Sequence, residues 1–239
     1  MSVSPAGFTL ATACWPDVAA GPRRLLVVPL GSLEQHGPHL PMDTDTRIAS
    51  AVAARACADR GGVGLAPPVA IGASGEHADF PGTLSIGTAA LSALLVELGR
   101  HASLHWPATL LVNGHGGNVP AITEAVALLR EEGRECHVWH AGMPGGGGDA
   151  HAGRTETSLM LALAPAEVLV SRAAAGETRP LADIMPSLRT HGVRAVSANG
   201  VLGDPSGASA AEGARLLGAL VAGLTETLDR LLAGGPADD

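Results

Sequence analysis

The chain lacks the features that would tie it to an oxidising compartment, a nucleic acid or a membrane. Its three cysteines, Cys14, Cys57 and Cys136, are widely spaced and form no CxxC pair. That excludes a disulfide framework and a thiolate zinc site, so any metal must be held by histidine and carboxylate. Basic residues are scarce: 15 Lys+Arg against 23 Asp+Glu leave a formal net charge of -8. The clustered positive footprint that nucleic acids and anionic membrane surfaces require is missing. No apolar run reaches the roughly 18 residues of a membrane span, and the N-terminal MSVSPAGFTLATACWP has no basic region ahead of an apolar one. These absences predict a cytoplasmic protein with neither nucleic acid nor membrane as partner, acting on something small or peptidic. No internal repeat and no linker divide the 239 residues, which predicts one domain over 1–239.

What is present is an alternation of short apolar runs and amphipathic segments. LLVVPLG (Leu25–Gly31), VGLAPPVAIG (Val63–Gly72), ATLLVNG (Ala108–Gly114) and CHVWHA (Cys136–Ala141) read as buried strands. Helices are expected between them, from Thr46 to the paired Gly61 and Gly62, from Thr88 to Pro107, and from an N-cap at Asn118 to Gly133. RTETSLMLALA and the segment from Ser209 to Gly235 read as later helices. Strand followed by helix followed by strand implies parallel pairing, hence an α/β fold with a mainly parallel sheet.

The chemistry-bearing residues fall just past the carboxyl ends of predicted strands, the edge where open α/β sheets bind ligands. Glu34 and His36 follow the first strand, NGHGGN (Asn113–Asn118) the third, and GGGGDAHAGRTETS (Gly145–Ser158) the fourth. In an extended segment residues i and i+2 share a side, so Glu34 and His36 can present a carboxylate and an imidazole together. Asp45 opens the next helix, where the dipole favours a carboxylate, and is the candidate to bridge two ions. Taken singly, Asp43, Asp45 or a loop histidine is as well explained by capping or solvation; three histidine-bearing loops at one sheet edge are not. A phosphate-cradling reading of NGHGGN lacks GxGxxG, GxxxxGK and a lysine, and GASGE misses the GxSxG nucleophile elbow by one residue. Mixed carboxylate and imidazole ligands suit zinc, iron or manganese.

PLGSLEQHGPHLPMDTD, GEHADFPGTLSIG, LLVNGHGGN and HAGRTETS, in this order and spacing, resemble the motifs of the creatininase family of binuclear metal amidohydrolases. Within it, DTDTRIA, FPGTLSIGT, DAHAGRTETS and NGVLGDPSGASAAEG are similar to the mycofactocin-system branch of peptidases. The resemblance implies a three-layer sandwich, two divalent metal ions, and a homo-oligomer such as a hexamer. It implies the metal ligands Glu34, His36, Asp45 and His115, with His151 contacting substrate and assisting proton transfer. It also implies a substrate, a modified precursor peptide from which the C-terminal Val-Tyr dipeptide is released. Creatininase itself has HYEN where this chain has HGGN, so Gly117 stands in place of a glutamate. The missing carboxylate is expected from Glu156, with Asp149 as competitor. Glu76, His77, Asn113, Asn118 and Asp149 are the further candidates for a substrate wall or for support of the ligands, and PGGGG (Pro144–Gly148) is a candidate lid. Trp15, Trp106 and Trp139 do not fall in the loop that would form a creatinine pocket.

Overall fold

The computed structural model describes residues 8–142 and 148–234; the candidate lid lies outside them apart from Gly148. Five strands, β1 (Phe8–Thr9), β2 (Leu25–Leu30), β3 (Val63–Leu65), β4 (Ala108–Asn113) and β5 (Glu135–His140), pair in parallel in the order β1-β3-β2-β4-β5. The two central strands read LLVVPL and ATLLVN. Successive side chains on a strand point to opposite faces, so a strand that is apolar at nearly every position needs cover on both.

Both faces receive it. Leu25, Val27, Leu110 and Val112 cluster with Ile48 and Val52 of α2 (Thr44–Cys57), Leu159 of α5 (Arg154–Leu163), and Leu220 and Leu224 of α7 (Ala210–Leu232). Leu26, Val28, Leu30 and Leu111 cluster with Leu91 and Leu95 of α3 (Thr88–Ala102) and Ile122 and Leu129 of α4 (Val119–Glu131). The result is the three-layer α/β sandwich. Helix α7 starts where Ser209 Oγ accepts the Glu212 backbone N–H at 3.2 Å, a capping arrangement written in the spacing SAAE. Two further helices are α1 (Trp15–Ala20), whose Val18 packs against the second cluster, and α6 (Leu181–His191), whose Ile184 and Leu188 belong to a separate small one.

The predicted strand Val63–Gly72 is only three residues long. Pro67 and Pro68 have no backbone N–H to give to a ladder, so pairing stops ahead of them. The chain touches the sheet again where Val69 donates to Pro29 O at 2.9 Å.

Connectivity positions the site. From β2 the chain passes through α2, on one face, to β3; from β4 it passes through α4, on the other face, to β5. Since β3 and β5 lie on opposite sides of the adjacent β2–β4 pair, the connections diverge at the carboxyl ends of β2 and β4 and leave a crevice there.

Candidate metal centre

Into that crevice the segment after β2 sends Glu34 and His36, the start of α2 sends Asp45, the turn after β4 sends His115, and the first turn of α5 sends Glu156. Glu34 and His36 are fully buried, and Asp45 and His115 nearly so. Their donor atoms form two trios that share one carboxylate. Glu34, Asp45 and His115 make one and His36, Asp45 and Glu156 the other, each with its ligand atoms within 4.8 Å of one another. Asp45 Oδ1 faces His36 Nε2 at 3.0 Å, and Oδ2 faces His115 Nδ1 at 3.2 Å. The i, i+2 pair is thereby divided between the trios, although Glu34 and His36 also come together with His151.

The donors fit divalent cations. Both oxygens of Glu34 are buried without a hydrogen-bond partner, with His115 Nε2 3.1 Å from Oε2 and His77 Nε2 3.3 Å from Oε1. Three carboxylates crowded into one enclosed volume require positive charge. Burial pushes the Glu34 and Glu156 carboxyls up to about 7. Burial also works against charge on His36, yet Asp45 draws that imidazole up to about 10. His115 is raised well above its ordinary range because Glu34, Asp45 and Glu76 outweigh its burial. Despite its own burial Asp45 is held well below the usual carboxylate range by His36 and His115. These carboxylates therefore favour positive charge at His36 and His115.

The remaining imidazoles behave differently. Burial lowers His77 to about 4 and His151 well below the ordinary histidine range, which keeps both neutral. The His151 ring lies 4.4 Å from that of His36 and 4.6 Å from that of His77, centre to centre.

Among the two candidates for the missing carboxylate, the structure separates their duties. Asp149 accepts hydrogen bonds from the backbone N–H groups of Arg154 and Thr155 and from Thr155 Oγ1, so it serves the start of α5. Glu156 Oε2 lies 4.0 Å from His36 Nε2 and accepts the Ala152 N–H at 2.6 Å. Gly117 leaves no room for a side chain of its own, because a Cβ there would overlap Glu76 Oε1 and His115 Nε2.

Other expected residues are placed as follows. Glu76 and His77 stand on a 3-10 turn, Gly75–His77, and meet the cluster, Glu76 Oε1 at 3.4 Å from His115 Nε2. Asn118 does not cap α4 with its side chain. Its Oδ1 accepts Ala73 N–H at 2.9 Å and its Nδ2 donates to Gly31 O at 3.0 Å and Asn113 Oδ1 at 3.1 Å, which ties three loops together. Asn113 Nδ2 donates to His115 O at 2.7 Å. Both asparagines therefore hold the loops rather than face the cavities.

Two residues that sequence reasoning passed over complete the support. Ser32 Oγ donates to Asp45 Oδ2 at 2.7 Å. Gln35, between two ligand candidates, meets His77, His151 and Gly200 with its amide. The clue available in the sequence was their position inside the motif, next to ligand candidates.

Two cavities adjoin the cluster. One of about 230 Å³ is lined by Asp45, His115, Asp149, His151 and Glu156. A wider groove of about 770 Å³ is lined by Glu34, Glu76, His77, His115 and His151 on one side and by Leu181, Met185 and Leu188 of α6 on the other. No tryptophan lines either: Trp106 is buried in the core, Trp139 packs against it, and Trp15 is exposed.

The family described as creatinine amidohydrolase, Creatininase, matches residues 11–228. A mycofactocin precursor peptide peptidase of Mycolicibacterium smegmatis is 55% identical over 212 residues, 86% of this chain and 85% of that protein. Among solved structures, a tryptophan-to-alanine mutant creatininase superposes with a TM-score of 0.76 at 28% identity, over 95% of this chain and 99% of its own. A mutant creatininase of Zn-Zn type superposes with a TM-score of 0.75 at 28% identity, over 96% and 98%. Likeness on this scale spans the sheet, its flanking helices and every loop that feeds the cluster: the chain belongs to the creatininase family, hydrolases of carbon–nitrogen bonds.

Proposed function

We propose that the chain is a two-metal peptidase of mycofactocin maturation that releases the C-terminal Val-Tyr dipeptide from a modified precursor peptide. The observation that carries the metal chemistry is the pair of trios sharing Asp45. Glu34, Asp45 and His115 would hold one divalent ion and His36, Asp45 and Glu156 the other, the ions being zinc, iron or manganese. The peptide substrate is supported by the name of the 55% identical relative and by a groove of about 770 Å³ that reaches the cluster. No helix among the described residues is long and apolar enough to cross a membrane.

When bound, the two ions would polarise the scissile carbonyl and make a water acidic enough to be deprotonated near neutral pH. The protein's own residues then manage the proton. His151 lines both cavities, so it can take a proton from the attacking water and pass it to the departing amide nitrogen. The oxygen stays with the new carboxylate and the nitrogen leaves as the amine of the dipeptide. Asp149, anchored to α5, would line the smaller cavity and Glu76 the groove, beside the two trios.

The test is to load the purified protein with each metal and mass the products formed from the modified precursor peptide. Release of Val-Tyr is expected. An intact peptide alongside turnover of a cyclic amide or formamide would overturn the peptidase reading, and a metal-loaded protein with no turnover of either would make it a binding subunit. A homo-oligomer, expected by family resemblance, would be read from the same preparation by light scattering.

A further inference from the structure

Gln35 is buried, lines neither cavity, and sits between Glu34 and His36. Its amide orientation is determined by its neighbours. Oε1 accepts the Gly37 N–H at 2.8 Å, so the other end is the nitrogen. That nitrogen donates one proton to Gly200 O at 3.0 Å and the other to His77 Nδ1 at 2.9 Å. The seat is closed, since Gly200 has φ +80 and a Cβ there would overlap the Gln35 amide.

With both amide protons committed, none remains for His151 Nε2, 3.0 Å away. That ring nitrogen lies 2.8 Å from the backbone oxygen of Gln35, a distance at which a lone pair would meet a lone pair. It must carry the proton and donate it. His77, accepting at Nδ1, must likewise carry its proton on Nε2, where it faces Glu34 Oε1 at 3.3 Å. His151 is left with its lone pair on Nδ1, which faces the same oxygen at 3.8 Å.

We propose that Gln35 is a positioning residue that fixes both imidazoles in the Nε2–H form, His77 through its side-chain amide and His151 through its backbone carbonyl. His77 then presents its protonated Nε2 to the Glu34 carboxylate, 3.3 Å from Oε1, and His151 offers an unprotonated Nδ1 to the reacting centre. The two controls are separable, because substitution of Gln35 removes the amide and keeps the carbonyl. The consequence for catalysis rests on the hydrolase reading above.

The experiment is long-range proton–nitrogen NMR of the histidine rings in the zinc-loaded protein, with steady-state kinetics, for the native chain, Gln35→Glu and Gln35→Met. In the native protein both rings carry the proton on Nε2. In the variants His77 loses that pure form while His151 keeps it. The rate constant kcat falls about 10-fold, the low end of the effect of losing an outer partner of a metal ligand, because Gln35 acts through His77. KM stays within about twofold, since Gln35 does not reach the groove. A proton on Nδ1 of His77 or His151 in the native protein would overturn the proposal, as would variants whose His77 form and kcat are unchanged. If neither variant folds, the native spectra decide. Absence of metal-dependent turnover in the native protein would instead sink the hydrolase reading and leave the tautomer assignment standing.

Discussion

The two sides of the crevice are built on different principles. On the metal side, Glu34, His36, Asp45 and His115 are enclosed, and all but Glu34 have an outer partner among the described residues. Ser32 holds Asp45, the Glu34 backbone oxygen accepts from His36 Nδ1 at 3.1 Å, and Ala73 O lies 3.2 Å from His115 Nε2. On the groove side, α6 contributes Leu181, Met185 and Leu188 and rests on a small apolar cluster of Ile184, Leu188, Val193 and Leu202. The metal side is over-determined by polar contacts of fixed geometry; the groove wall is set by non-directional packing. Chemistry and substrate choice can therefore change separately, and substitutions should sort by side.

The largest effect that leaves both ions in place belongs to His151, where the two sides meet. His151→Ala should keep both metal ions and lower kcat by about 10²–10⁴-fold, as expected for loss of a proton carrier. Metal analysis beside steady-state rates checks it, and loss of an ion would move His151 to the ligands. The smallest belongs to the wall. Met185→Ala removes apolar contact worth about 1 kcal/mol, so KM should rise roughly fivefold with kcat and metal content unchanged. A fall in kcat of the same size would show that the wall also orients the scissile bond.

Legibility in the sequence follows the same division. β2, β4 and β5 were readable because their apolar runs need cover on both faces, and the resemblance brought Glu34, His36, Asp45, His115 and Glu156 to one place. The two-residue β1 carries too little pattern to be seen, and β3 was overextended because VGLAPPVAIG stays apolar across two prolines that cannot pair. Asn118 misled in another way: its position ahead of VPAITEAV is that of an N-cap, whereas its amide is taken by Ala73, Gly31 and Asn113. Gln35 was passed over because an amide between two candidate ligands shows its purpose only when His77, His151 and Gly200, distant in sequence, are brought around it. Helix α6, with Pro186 inside it, has no motif at all, and its contribution to the groove appears only in three dimensions.

The proposed two-metal centre depends on Asp45 being shared and on Glu156 completing the second trio. The direct measurement is metal content per chain, by elemental analysis and native mass spectrometry, for the native protein, Asp45→Ala and Glu156→Gln, with the melting of each metal-free protein recorded alongside. Two ions are predicted for the native chain, loss of bound metal for Asp45→Ala, and one ion with collapsed activity for Glu156→Gln at nearly unchanged metal-free melting. Two ions and full activity in Glu156→Gln would contradict it, reducing Glu156 to a carboxylate that complements the α5 dipole by about 1 kcal/mol or less.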